Sequence, residues 1–543
     1  MQKWLVTTTF VFCTLASWLS MAADAPFTHK EYMTEMRDGV KLAMSVYTPE
    51  GEGPWSVVLM RTPYNKANAE RRARRYLNAG YIFAIQDCRG RYLSEGAYVP
   101  FEDDMEDGYD TVEWLAEQPF CTGKIGMTGD SAPGITANLA AAAAPPHLHA
   151  AFVGVAPRSL FYESRFIGGV FKESHAGGWM RGQGVADQIP GMKKRVVMDD
   201  HWKATDLIHH REKIKIPIYN VGGWYDIFSH GSIHNFKYLQ EQGAEGARGN
   251  QKLWMGAFGH GRISGKLAYP GDLGLGGVKA NEEIRWFDYW LRGIDTGIMD
   301  EPPINYFLMG SAKQGSPSEN NQLLHTDSWP PESTPTKFYL HEGFAVSTSK
   351  PTSLKGKSSY DHDPENTIPT VGGANLRIEK GPMDQRYIGN RDDYLRFETK
   401  PLAEDLIVTG KIDMELYAAT DGLDTDFMVK LVDIYPDGYE AIIMDNPIRA
   451  RFRHGREPGD EKMMTPNKPE RMNIDLWSTA IVFEKGHRIG IHVSSSNFPR
   501  FEVNTNTGET AGENTIPPRV ARNTIYHNSR YPSALTLPVI SAE

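Results

Sequence analysis

Nine residues constrain this chain more than any others: Gly126-Met127-Thr128-Gly129-Asp130-Ser131-Ala132-Pro133-Gly134. A β-like run, Lys124 to Thr128, leads in. An alanine-rich helical run, about Ile135 to Ala144, leads out and stops at Pro145-Pro146. A strand that passes straight into a helix must turn sharply, so the residues around the turn must be small. The spacing Gly-x-Ser-x-x-Gly places Ser131 at the apex, its hydroxyl exposed above the strand end. These nine residues alone fit a glycine-rich turn without chemistry equally well, so the decision falls to the rest of the chain.

The surrounding sequence supplies a sheet. Tyr32 to Pro49 reads as a hairpin about Asp38-Gly39. Trp55 to Met60, Tyr81 to Gln86, Ala151 to Ala156, Ile216 to Val221 and Lys252 to Ala257 are continuous apolar runs, as in strands buried on both faces. Helical stretches lie between them (Ala67 to Ala79, Asp104 to Gln118), and Asn281 to Arg292 follows the last. Such alternation predicts an α/β domain with a mostly parallel sheet, over residues 23–300. Its ligands bind beyond the carboxyl ends of the strands. Residues 157–215 break the alternation, are rich in aromatics (Phe161, Phe166, Trp179) and read as a helical cap. Past Pro302-Pro303 the texture changes to short alternating runs, including Lys337 to Leu340, Asp405 to Tyr417, Phe427 to Ile434 and Arg488 to Ser494. Residues 301–543 are therefore expected to form an all-β sandwich with jelly-roll connections.

The first 22 residues stand apart. Lys3 precedes an apolar run from Trp4 to about Leu19, and Ser20-Met21-Ala22 offers small-x-small cleavage. This is expected to be a secretory signal, giving a periplasmic or secreted product without a membrane span. The remaining cysteines, Cys88 and Cys121, can pair in an oxidising compartment, or remain two buried thiols. The net charge of −10 has no basic stripe, which argues against a nucleic-acid partner.

Three chemically apt residues fall just past strand ends: Ser131, Asp226 and His260. A serine hydroxyl needs a base within hydrogen-bond reach. Histidine titrates in the right range, and a carboxylate fixes its tautomer. The order serine, acid, histidine is that of α/β-hydrolases. The oxyanion of a tetrahedral intermediate then needs donors. The backbone N–H of Ala132 can be one, and the hydroxyl of Tyr64, after the third strand, the other.

Several segments together resemble the CocE/NonD group of serine hydrolases, which includes cocaine esterase, X-prolyl dipeptidyl aminopeptidases, α-amino acid ester hydrolases and glutaryl acylases. They are Arg61-Thr62-Pro63-Tyr64, Asp87-Cys88-Arg89-Gly90, Gly126 to Gly134, Gly223-Trp224-Tyr225-Asp226, Gly256 to His260, Trp286 to Leu291, Asp384-Gln385-Arg386, Arg391-Asp392-Asp393, Asp424 to Phe427, Tyr435 to Gly438 and Ser494 to Arg500. The resemblance implies an α/β-hydrolase domain with a cap and a galactose-binding-like jelly roll. It implies Ser131 as nucleophile, Asp226 as acid, His260 as base and Tyr64 as oxyanion donor. Two departures stand out. Ala132-Pro133 replaces the tyrosine that follows the serine in the group. Asp226 is followed by Ile227-Phe228-Ser229, not by the acidic residues with which α-amino acid ester hydrolases hold an ammonium group.

The expectation is a hydrolase of ester or amide bonds working through an acyl-enzyme, on a small-molecule or peptide substrate, without a cofactor. Self-association is left open. Trp224, Tyr225, Phe228, Phe161, Phe166 and Trp179 are expected around the substrate. An X-Pro dipeptidyl aminopeptidase, and a carbohydrate-binding or adhesion protein with a decayed hydrolase domain, are the alternatives. Asp130 reads as an anchor of the turn. His230 and His234 have the i, i+4 spacing of a zinc pair, but Gly231-Ser232-Ile233 between them contains no glutamate, and no metal is expected. His147, His149, His209 and His210 read as surface or satisfied histidines. Asp421, Asp424 and Asp426 read as structural, and Arg449, Arg451 and Arg453 as partners for carboxylates.

Overall fold

The computed structural model describes residues 26–313, 315–510, 513 and 515–541. The leader expected over residues 1–22 lies outside them. The amino-terminal part is built on a ten-stranded sheet. Its strands are β1 (Phe27–Glu35), β2 (Lys41–Pro49), β3 (Trp55–Thr62), β4 (Ile82–Asp87), β5 (Cys121–Asp130), β6 (Leu148–Gly154), β7 (Ile218–Tyr225), β8 (Lys252–Gly259), β9 (Ile304–Leu308) and β10 (Gln322–Thr326). The spatial order is β1-β2-β4-β3-β5-β6-β7-β8-β9-β10. From β4 to β9 neighbouring strands run parallel; both edges are antiparallel. Val57, Val58 and Leu59 of β3 are fully buried, as a strand covered on both faces requires.

Helices α1 (Glu70–Asn78), α2 (Asp104–Ala116), α3 (Ala132–Ala143), α4 (Ser229–Gln242) and α5 (Leu275–Arg292) cover the faces. The aromatic run of α5 is packed, not exposed: the Trp286 indole donates to the Ala151 carbonyl at 2.9 Å. A Cβ on Gly126 would come within 2.6 Å of the Phe287 ring, so β5 must carry glycine where this helix crosses it.

The sheet continues past the expected boundary at residue 300. Leu253 of β8 pairs in parallel with Ile304 of β9, and β10 adds the last strand. Pro302-Pro303 does not end the sheet because a proline at the start of a strand can still offer its carbonyl. The N–H of Leu253 uses that of Pro303, at 2.9 Å.

The two cysteines do not meet; both are free. Cys88 follows the carboxyl end of β4, where Asp87 pairs with Thr62, whereas Cys121 opens β5 opposite Trp55. Those positions are roughly 23 Å apart along β3 at about 3.3 Å per residue, far beyond disulfide range.

Residues 157–215 form short helical turns and a small hairpin, Phe166–Ile167 with Val170–Phe171. The hairpin tip packs on the carboxyl-terminal domain: the Arg449 N–H bonds the Gly168 carbonyl at 2.8 Å. That domain consists of antiparallel sheets. One holds Thr334–Leu340, Leu406–Thr420, Glu470–Phe483, Ala521–Tyr526 and Ala534–Ile540. The other holds Leu395–Glu398, Asp426–Ile434, Glu440–Arg449 and Arg488–Ser494. Leu416 and Leu535 from one and Val429 and Ile491 from the other share a core, and the strand Asp426–Ile434 is buried along its whole length. Arg449 and Arg451 form buried ion pairs with Asp426 and Asp424, at 2.9 and 2.8 Å. Asp421 pairs with Arg519 at 2.9 Å.

Candidate active site

The turn between β5 and α3 has the geometry its glycines demand. Ser131 has φ 62° and ψ −124°, a strained conformation for a residue with a Cβ, costing on the order of 1–3 kcal/mol. The doubling back brings Gly129 so close to Pro133 that a Cβ would lie 2.2 Å from its carbonyl. Gly134 sits against Ala156, where a Cβ would approach to 2.9 Å. The second glycine of the spacing is thus a packing position. The Ser131 N–H bonds the Gly154 carbonyl at 2.9 Å, tying the apex to β6. Asp130 is anchored by Lys279 at 3.0 Å.

Ser131, Asp226 and His260 converge. The Ser131 Oγ lies 2.9 Å from His260 Nε2, and His260 Nδ1 lies 2.7 Å from Asp226 Oδ2. With Nδ1 protonated, Asp226 accepts from it and Nε2 is left to accept from the serine. The other Asp226 oxygen accepts from the Phe228 N–H at 2.7 Å. Asp226 is fully buried, whereas the His260 side chain keeps 12% exposure. The carboxylate is therefore fixed and dry, and the imidazole is reachable.

Ala132 is the first residue of α3, so its N–H has no intrahelical acceptor and stands at the positive end of the helix. Tyr64 follows β3, whose end is pinned by the buried Arg61 guanidinium on Asp104 (2.7 Å) and Gln86 (2.8 Å). The Trp179 indole N–H donates to the Tyr64 hydroxyl oxygen at 2.8 Å. That oxygen's lone pair being used, the phenolic proton is free to point elsewhere. Burial raises the Tyr64 phenol above its ordinary pKa, while hydrogen bonding with Trp179 and Ser131 works against the rise.

The expected pocket residues divide. Phe228 meets the His260 ring edge-on at 5.9 Å, and Trp179 holds Tyr64. Trp224 and Tyr225 do not face the site. Successive residues of β7 point to opposite faces, and the Trp224 indole bonds the Phe307 carbonyl at 2.7 Å and stacks on Trp329. Tyr225 is buried in the core. Phe161 and Phe166 form the cap's own core with Trp202. Arg456, 4.1 Å from the Phe161 ring centre, covers them.

Several groups at the site carried no sequence signal. Lys172 is buried, its ammonium bonded to the carbonyls of Glu163 (2.7 Å) and Ile227 (3.1 Å). Burial drives its pKa well below the ordinary lysine value. His175 stands 5.1 Å from Phe228, and burial likewise lowers it. Arg165, 5.8 Å from the Trp179 ring, has no carboxylate partner among the described residues, and burial lowers it to about 10. From the carboxyl-terminal domain, Lys380 reaches the His260 carbonyl at 3.3 Å. A cavity of about 490 Å³ opens on Ser131 and His260, walled largely by Val155, Phe258, Ile263, Tyr269 and Leu275, with Arg262 at its edge.

A serine, a histidine and a buried carboxylate joined at the strand ends of such a sheet define a serine hydrolase with the α/β-hydrolase fold. The chain belongs to the X-Pro dipeptidyl-peptidase (S15) family, whose model matches residues 38–197 and 183–262. The X-Pro dipeptidyl-peptidase C-terminal non-catalytic domain matches residues 296–536. Cocaine esterase from Rhodococcus sp. is 30% identical, over 94% of this chain and 98% of its own length. Among solved structures, an aminopeptidase from a marine sediment Thaumarchaeota archaeon superposes with a TM-score of 0.80 at 23% identity, covering 99% of each chain. A CocE/NonD family hydrolase from Staphylococcus aureus gives 0.75 at 18%, covering 95% of this chain and 94% of its own. The last two share the fold.

Proposed function

We propose that this protein is an exported esterase whose nucleophile is Ser131. The observation that carries the reading is the relay from Ser131 through His260 to Asp226, at 2.9 and 2.7 Å. Ser131 Oγ attacks the ester carbonyl carbon as His260 Nε2 takes its proton. The resulting oxyanion is held by the Ala132 N–H and the Tyr64 hydroxyl. His260 then gives the proton to the departing alkoxide, leaving the acyl group on Ser131. Water, deprotonated by His260, releases the acid and restores the serine.

The buried groups about the site favour an ester with an uncharged acyl group over an X-Pro peptide. An X-Pro dipeptidyl-peptidase must receive a free ammonium, and burying one without a partner is costly. The basic groups Arg165, Lys172 and His175 pack on Trp179 and Phe228, whereas the buried cap carboxylate Glu163 lies instead with His230 and His234. Asp130, at the cavity beside Ser131, is held by Lys279, and Glu173 by Arg181 and Lys193. The relative at 30% identity is an esterase by name. Export rests on the leader-like residues 1–22.

The test is a rate comparison on the purified mature protein. Esters of p-nitrophenol with short acyl groups are expected to exceed X-Pro p-nitroanilides in kcat/KM by at least about 10². Equal or faster cleavage of the X-Pro amides would transfer the assignment to the peptidase. A fluorophosphonate that leaves Ser131 unlabelled would remove the nucleophile.

A further inference from the structure

The histidine pair on α4 has a partner that the sequence hides. His230 and His234 lie one helical turn apart, their ring centres 3.7 Å from each other. Glu163, from the first turn of the cap, is wholly buried and reaches the same place. One ligand atom from each of the three lies within 4.8 Å of the other two. We propose that Glu163, His230 and His234 bind a divalent transition-metal ion, zinc being the ion whose chemistry suits two imidazoles and a carboxylate.

The hydrogen bonding supports this. Neither imidazole makes a ring hydrogen bond among the described residues, in contrast with His260 and its two. Glu163 Oε2 is held by the Ser159 N–H at 2.7 Å, whereas Oε1 is buried without a hydrogen-bond partner. Arg158 is nearby, its Nε 3.7 Å from Oε1, but it also faces Asp206 at 3.4 Å. The Oε1 atom and that Asp206 oxygen are both left unbonded. An unbonded buried carboxylate oxygen is costly, and a cation between it and the two rings would satisfy all three.

Geometry and access agree. Ligand atoms around tetrahedral zinc lie about 3.4 Å apart, given bonds of about 2.0–2.1 Å, so the three, within 4.8 Å of one another, need close by at most about 1.4 Å. The ring planes are already braced: Trp477 stacks on His230 with centres 5.3 Å apart, and Tyr238 meets His234 edge-on at 5.5 Å. A cavity of about 460 Å³ adjoins both imidazoles, giving the ion an entry path and room for water as fourth ligand. The ion would clamp the cap to the helix that begins three residues after Asp226. The third ligand comes from 67 residues upstream, a distance only the fold closes.

The experiment uses the full mature chain, stripped with a chelator and titrated with Zn²⁺ by calorimetry, with thermal unfolding in parallel. One saturating equivalent and a raised Tm are expected. Co²⁺ should give the visible spectrum of a four-coordinate ion. Glu163→Gln and His234→Ala are each expected to weaken binding at least about tenfold. No saturable binding by the wild-type chain would overturn the proposal, as would unchanged affinity in a folded His230→Ala/His234→Ala variant. Should these variants fail to fold, anomalous scattering from zinc-soaked crystals of the unaltered protein decides. A peak among the three side chains is expected, and its absence overturns the site.

Discussion

The α/β domain holds two histidine-centred arrangements, and they differ in how the imidazoles are used. His260 has both nitrogens engaged, one with Asp226 and one with Ser131. Among the described residues neither the His230 nor the His234 ring makes a hydrogen bond, and the carboxylate beside them has a bare oxygen. An imidazole strung between a carboxylate and a hydroxyl can only relay a proton, because the carboxylate fixes which nitrogen carries it. A pair of imidazoles facing an unbonded carboxylate oxygen has lone pairs to give to a cation, which is the electronic situation of metal ligands. Hydrogen-bond accounting thus separates two roles that residue type alone does not.

The largest effect that separates the two arrangements is Ser131→Ala. It should lower kcat by about 10⁶, as loss of a triad nucleophile does, while Zn²⁺ affinity stays at the wild-type value. Loss of zinc binding in this variant would show that the two places are coupled, and residual turnover near the wild-type rate would remove Ser131 from the mechanism. Tyr64→Phe should follow at roughly 10²–10³ in kcat, the scale of one oxyanion donor. An unchanged kcat would leave the oxyanion to the Ala132 N–H and make Tyr64 a wall.

The relay was legible because a parallel sheet puts its chemistry at strand ends. Ser131 follows β5, Asp226 follows β7 and His260 follows β8, so buried apolar runs locate all three before any contact is known. What stayed hidden depends on side-chain direction or on distant segments. Trp224 and Tyr225 immediately precede Asp226, yet β7 turns them into the core, and nearness in sequence was a poor guide. Cys88 and Cys121 flank strands of one sheet, yet at opposite ends. Lys172 looked like any charged residue in a polar segment; its burial comes from cap turns whose packing no periodicity announces. The same holds for Glu163, whose role depends on the cap lying over α4, and for Lys380, which arrives from the other domain.

The smallest expected effect concerns Trp179, which touches no reacting atom and acts through Tyr64. Its indole N–H donates to the phenol oxygen, and on the proposed mechanism this leaves the phenolic proton for the oxyanion. Trp179→Phe keeps a ring to stack on Phe101, now 5.5 Å away and nearly parallel, and deletes the N–H alone. A loss of up to about tenfold in kcat with KM unchanged is expected, comparable to one hydrogen bond of about 1 kcal/mol. A positioning role makes a further demand that packing does not. In Tyr64→Phe there is no hydroxyl left to orient, so adding Trp179→Phe should cost nothing more. If the two losses multiply, Trp179 serves as a pocket wall and the orientation of Tyr64 has another source.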